Sequence, residues 1–262
     1  MDPLDLVRHY SAPPDQEVAG FIAAVLALGR WEQIKKVVSA MLEIMGPSPY
    51  GFVSSYDPWV QGNPFSHLKH RFYTGDDLGL LVFWLAQIIR RAGSIEAFFM
   101  SGDDPGDATV GTALSRFVQA VSGLETRPFY DELPPPGRGA SHFLTDPARG
   151  SAAKRLCLYL RWMVRRDTLD LGLWSSINPA RLVIPLDVHI TRMGRRLGLT
   201  RRASPGWPMA LEITGALRRL DPADPVKYDF ALCTLGKINP CKQPGACGGC
   251  PIGSGCIDFT SS

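Results

Sequence analysis

Apolar positions recur at helical spacing along most of the chain. Over residues 18–45 they return every three to four residues, with a break at Gly29-Arg30, which predicts two helices joined by a turn. Gly46-Pro47-Ser48-Pro49 ends that hairpin. The same periodicity predicts helices over 76–92, 95–100 and 109–122, with a turn at 102–106. The Pro- and Gly-rich run 133–139 reads as a linker or lobe boundary. Beyond it, a helix is expected from just after Gly150-Ser151, with Ser151 as N-cap, to about residue 166. Helices over 188–197, 208–220 and 225–235 complete the set. The run 182–184 is short and apolar enough for a strand, but nothing indicates a sheet, and no repeat or low-complexity tract occurs. The expected class is all-α.

Charge adds an asymmetry to this pattern. Residues 149–202 hold twelve Lys/Arg against three Asp, a net +9 within a chain of net +3, so the remainder carries −6. A stretch this basic is either a face for a polyanion or an Arg-rich helix surface in solvent. The apolar segment 21–28 is far too short to span a bilayer, and the N-terminus lacks the basic head and apolar run of a secretory signal. The expectation is a cytoplasmic, nucleoid-associated, monomeric protein with no membrane partner.

Cysteine usage sharpens the chemistry. Four of six cysteines form C-x5-C-x2-C-x5-C at Cys241, Cys247, Cys250 and Cys256. Four thiolates in a short Gly/Pro-rich segment suit a [4Fe–4S] cluster or a structural zinc ion. Zinc ribbons usually pair two C-x2-C knuckles and this segment has one, which favours the cluster. Disulfides are the third option, against the expected compartment. Cys157 and Cys233 sit in apolar surroundings and read as small core residues.

The cysteine spacing resembles the C-terminal cluster loop of endonuclease III and the adenine glycosylase MutY, with a first gap of five residues where that family usually has six. Upstream, Asp187-x-His189-x-x-Arg192 is similar to the D-x-H-x-x-R segment of the helix-hairpin-helix (HhH-GPD) DNA glycosylase superfamily. Gly150-Ser151-Ala152-Ala153-Lys154-Arg155 resembles its hairpin, with Ala where the second Gly belongs. Lys154 precedes Asp187 by 33 residues, a long spacing similar to that of the archaeal 8-oxoguanine glycosylases. The likeness covers 149–256 well and 13–46 weakly, and 48–147 matches nothing. It implies a divergent bacterial branch with a two-lobed helical fold: 13–147 as helical lobes, 148–236 as hairpin and catalytic helices, 237–262 as cluster loop.

A base inside duplex DNA must be extruded before its glycosidic bond can be attacked. Arg149, Gly150, Ser151, Ala152 and Arg155 are the expected backbone clamp, with hairpin N–H groups aimed at a phosphate. Lys154 is either the amine nucleophile, with Arg155, Arg161 and Arg165 as cationic neighbours, or a phosphate contact. The resemblance implies that Asp187 faces the sugar and stabilises its oxocarbenium-like transition state; its bland alternative is a plain N-cap. His189 is a phosphate contact, a support for Asp187, or a core histidine, and Arg192 a phosphate contact. Arg30, Trp31 and Gln33, at the first helix break, are candidates to fill the gap left by the base. The mixed basic and aromatic run 67–73 is a candidate groove strip, Trp162 a core residue, and Lys237 and Lys242 phosphate contacts. The functional expectation is a base-excision glycosylase with AP-lyase activity acting on a damaged, oxidised-purine base in double-stranded DNA. The alternative is a non-catalytic iron–sulfur protein that binds damaged or structured DNA.

Overall fold

The computed structural model describes residues 3–135, 137–238, 252 and 256. Among these the chain is helical, and its only β features are two isolated bridges, His70 with Tyr73 and Arg166 with Leu171. The all-α expectation therefore holds for the described residues, and the run 182–184 is not a strand. Instead the Ile184 N–H donates to Thr214 Oγ1 at 3.0 Å, which satisfies a buried backbone group without a sheet.

The helices are α1 (Leu4–Val7), α2 (Pro13–Val25), α3 (Trp31–Met45), α4 (Pro49–Ser55), α5 (Pro58–Gln61), α6 (Gly75–Ala92), α7 (Ile95–Met100), α8 (Gly111–Ser122), α9 (Lys154–Val164), α10 (Val188–Arg196), α11 (Trp207–Arg218) and α12 (Asp229–Ile238). The break at 29–30 falls between α2 and α3. Helices α4 and α5 fill a stretch where periodicity gave no element, since each is short and set by its cap. Ser48 Oγ accepts the Gly51 N–H and Asp57 Oδ1 accepts the Trp59 N–H, each with Pro in the first turn. The last helix begins later than its sequence pattern suggests, because Pro225–Tyr228 forms a 3-10 turn before α12.

Helix α6 is the longest described helix and packs against α4, α7 and the Gly139–His142 turn. Thr74 and Asp77 close its N-terminus reciprocally, with Asp77 Oδ2 accepting the Thr74 N–H at 2.7 Å, and Gly93 ends it in the left-handed region at φ +81°. Leu78, Leu80, Leu81, Val82, Leu85, Ala86 and Ile88 are completely buried. Elsewhere in the core α2 packs on α9, where Gly20 lets Met163 approach, and Phe21 meets Tyr159 edge-to-face at 5.1 Å.

Candidate active site

Helix α9 begins abruptly. Ala153 is its N-cap residue in the left-handed region at φ +44°, and Gly150 turns the chain just before at φ +84°. Ser151 is not the cap. Its Oγ accepts the Ala153 N–H at 3.1 Å two residues short of the helix, because the left-handed Ala153 turns the chain between them. The Gly150 carbonyl accepts the Trp207 N–H at 3.0 Å, which pins the loop to the start of α11.

Lys154 and Arg155 then diverge. Lys154 is half-buried and faces a cleft. Arg155 is 7% exposed and points into the fold, where Nη1 donates to Val25 O at 2.8 Å and to the Tyr73 hydroxyl at 2.7 Å, and Nη2 donates to His142 O. Arg155 is therefore a core anchor and not a DNA contact. The sequence reading failed here because a Lys-Arg pair at a helix start gives no sign of which cation turns inward.

The cleft has a volume of about 1060 Å³. Its walls come from the α2–α3 junction (Gly29, Trp31), α9 (Lys154, Leu158, Arg161), the start of α10 (Asp187, His189, Arg192) and α12 (Asp229, Cys233, Lys237). Lys154, Asp187, His189, Arg192, Trp31 and Lys237 are thus brought to one cavity. Arg149 and Ser151 line a separate cavity of about 600 Å³ with Trp84, Leu133 and Pro134. Gly150 is exposed between them and Ala152 is half-buried. Arg30, the N-cap of α3, and Gln33, in its first turn, are exposed and do not line the cleft.

Asp187 is the N-cap of α10. Its Oδ1 accepts the N–H groups of His189 at 2.8 Å and Ile190 at 2.7 Å, so the carboxylate is fixed and sits at the positive end of the helix. The cap role and the cleft role coincide. Arg192 Nη2 donates to Gly236 O on α12 and lies 3.2 Å from His189 Nδ1. Gly236 makes this approach possible, since a Cβ there would lie 2.7 Å from the Cβ of His189.

Two cleft residues were not expected at the site: Asp229, which was not singled out, and Cys233, expected as a small core residue but placed on the cleft wall by the meeting of α12 with the start of α10. Cys233 is half-buried and lines the cleft, and its Sγ donates to Asp187 Oδ2 at 3.6 Å. Burial pushes its thiol up to about 12, with the Asp187 charge adding to the effect. Asp229 is buried beneath it and pairs with Arg161 Nη1. Burial pushes Asp229 up to about 6, Arg161 opposes this, and Asp187 and Asp170 reinforce it. The one legible signal was the i, i+4 spacing of Asp229 and Cys233 on a helix that starts after Pro225.

The arginines of α9 also turn inward. Arg161 Nη2 bonds Asp170 Oδ1 at 3.0 Å, and Arg165 bonds Asp224 at 3.0 Å, Asp167 at 2.9 Å and Asp170. The charges of Arg161 and Arg165 are therefore answered by carboxylates rather than lent to Lys154, contrary to expectation. Arg181 is likewise paired with Asp103 at 2.7 Å. The cations that do reach the cleft are Lys154, Arg192, Arg195, Arg196 and Lys237, beside the buried-network member Arg161. Trp162 is fully buried, as expected. In the 67–73 run His70 and Tyr73 are buried and bridged in a turn, while His67, Lys69, Arg71 and Phe72 are exposed.

A family model described as "Protein of unknown function (DUF2400)" matches residues 2–238. The chain belongs to this family. No curated protein and no solved structure matches it. The DUF2400 match takes in every lining residue of the cleft, from Pro3 to Lys237, and stops at the last residue of α12. Cys241, Cys247 and Cys250 lie outside the described residues; Cys256 is half-buried. No group of three or more His, Cys, Asp or Glu side chains able to hold a metal occurs among the described residues. No helix among the described residues of this DUF2400 chain is long and apolar enough to cross a membrane.

Proposed function

We propose that this protein is a DNA base-excision glycosylase with AP-lyase activity on a damaged base. The observation that carries the reading is that Lys154 and Asp187, 33 residues apart, line one cleft with aromatic and cationic neighbours. Trp31 and Phe230 offer flat apolar surface to an extruded base, and Arg192, Arg195 and Lys237 offer charge to flanking phosphates.

In this reading the neutral Lys154 amine attacks C1′ of the sugar. The C1′–N bond breaks, its electron pair leaves with the base, and the base takes up a proton. The nitrogen lone pair then forms C1′=N as the C1′–O4′ bond breaks, O4′ keeps that electron pair and takes up a proton, and the protonated Schiff base so formed loses a C2′ proton as the 3′ phosphate leaves, which cleaves the strand. The fixed Asp187 carboxylate stabilises positive charge as it develops on the sugar, and its rigid mounting avoids reorganisation at that moment. Arg149 and Ser151, on the neighbouring cavity, belong to the outer DNA contact rather than the reacting centre.

The four cysteines supply a donor set of soft thiolates, which suits a [4Fe–4S] cluster acting as a structural staple. Anaerobic purification with iron, sulfide and zinc quantification tests this. A brown protein with about four irons per chain is expected, and a colourless protein with one zinc would overturn it.

The activity is tested by incubating the protein with duplexes carrying a panel of lesions and trapping with borohydride. Base release and a covalent adduct that Lys154→Gln abolishes are the expected results. The catalytic reading fails if no lesion yields release, nicking or adduct. Retained duplex affinity without turnover, unchanged in Asp187→Asn, would then favour a non-catalytic DNA-binding protein.

A further inference from the structure

Helix α12 meets the start of α10 along one face. Asp229, Cys233 and Gly236 follow one another at steps of four and three, the spacing that stacks side chains on one side of a helix. Asp229 takes the Arg161 guanidinium, Gly236 admits His189, and Cys233 between them reaches the carboxylate of Asp187.

The carboxylate is asymmetric as a result. Oδ1 is saturated by two backbone N–H groups of its own helix. Oδ2 has a thiol at 3.6 Å. A thiol is a weak donor, so it sets the direction of that oxygen and keeps water from one side while withdrawing little charge. A hydroxyl in its place would bond an ionised carboxylate at about 2.6 Å and hold the charge far more tightly.

We propose that Cys233 is a positioning residue that orients Asp187 Oδ2 towards the cleft and preserves its charge. This rests on the reading of Asp187 as the carboxylate that faces the reacting sugar. The charged and titratable groups that line the cleft with the pair are Lys154 and Arg161 from α9, Asp229 and Lys237 from α12, and His189, Arg192, Arg195 and Arg196 from α10.

The first test needs no DNA. Thiolate formation at Cys233 is opposed by burial and by the Asp187 charge. Asp187→Asn removes the second opposition, and each pKa unit so relieved raises the thiolate fraction about tenfold. Alkylation of Cys233 by iodoacetamide, followed by peptide mass spectrometry, is expected to run several-fold faster in the folded Asp187→Asn protein than in wild type. Equal rates would overturn the contact. The second test reads the reaction. In single-turnover assays on the lesion duplex, Cys233→Ala is expected to slow base release about tenfold with duplex Kd unchanged. Cys233→Ser, which keeps a donor, restores the rate in part and moves the acid limb of the pH–rate profile to lower pH. A Cys233→Ala enzyme with wild-type rate and pH profile would overturn the positioning role. Absence of any activity in wild type would sink the glycosylase reading instead, and the alkylation rates would still decide whether the thiol and carboxylate meet.

Discussion

Arg155 donates to the Tyr73 hydroxyl at 2.7 Å, and that hydroxyl lies 2.6 Å from His142 Nδ1. The two bonds tie the first turn of α9, the 70–73 turn and the 3-10 turn Gly139–His142 into one unit around the buried Arg155, the residue next to Lys154. The first turn of α9 is therefore anchored on its inner side, and the amine on its outer side has a rigid mount.

Replacing Arg155 with Met leaves the Val25 and His142 carbonyls and the Tyr73 hydroxyl short of a buried donor. A loss of about 3 kcal/mol is expected, since each such bond from a charged donor contributes roughly 1.5–3 kcal/mol and the methionine recovers some packing. Urea denaturation checks this, and a change below about 0.5 kcal/mol, the scatter of surface substitutions, would contradict the buried role.

The same unit predicts a pH dependence. Burial, with the Arg155 charge adding, pushes His142 down to about 4 from 6.5. The unfolded chain therefore binds the proton more readily between these values, and the stability that neutral His142 contributes is complete above pH 6.5 and lost as pH falls to about 4. Asp229, raised to about 6, acts in the opposite sense over nearly the same window. Comparison with His142→Asn isolates the histidine, because Asn keeps a neutral acceptor for Tyr73 while Asp229 is common to both. Wild-type Tm is expected to fall more steeply than the variant's from pH 6.5 to pH 4.

At the contact of α10 with α12, Gly236→Ala drives a methyl to within 2.7 Å of the His189 Cβ. Overpacking of this kind costs about 1–3 kcal/mol. A lower Tm is expected, together with faster hydrogen exchange in α12. Unchanged exchange there would mean that the two helices do not meet as described.

If the cleft cations meet phosphate, duplex affinity falls linearly with log salt, and Arg195→Gln is expected to reduce the slope by about one unit. A slope near zero in wild type would remove the DNA reading altogether.

Much of the helical order was legible in the sequence, because α2, α3, α6, α7, α8 and α10 are long or strongly periodic. Helices α4 and α5 were not, since their existence depends on Ser48 and Asp57 caps and not on an apolar stripe. The fates of the arginines were also hidden. Arg155, Arg161 and Arg165 resemble surface cations in composition, yet they reach Val25, Tyr73, His142, Asp224 and Asp229, partners distant in sequence that only tertiary folding brings near. Lys154, Asp187, His189 and Arg192 could be named from motifs. Cys233 and Asp229 could not, because an i, i+4 pair on one helix does not say what faces it.

The walls of the cleft draw on both ends of the matched chain, from Pro3 to Lys237. During synthesis the N-terminal helices leave the ribosome first, and α12 is the last of the twelve described helices to follow. A nascent chain thus carries Lys154 long before it has the wall that supports Asp187. The cavity is complete only when translation has passed residue 237, so a prematurely terminated product would lack the assembled site.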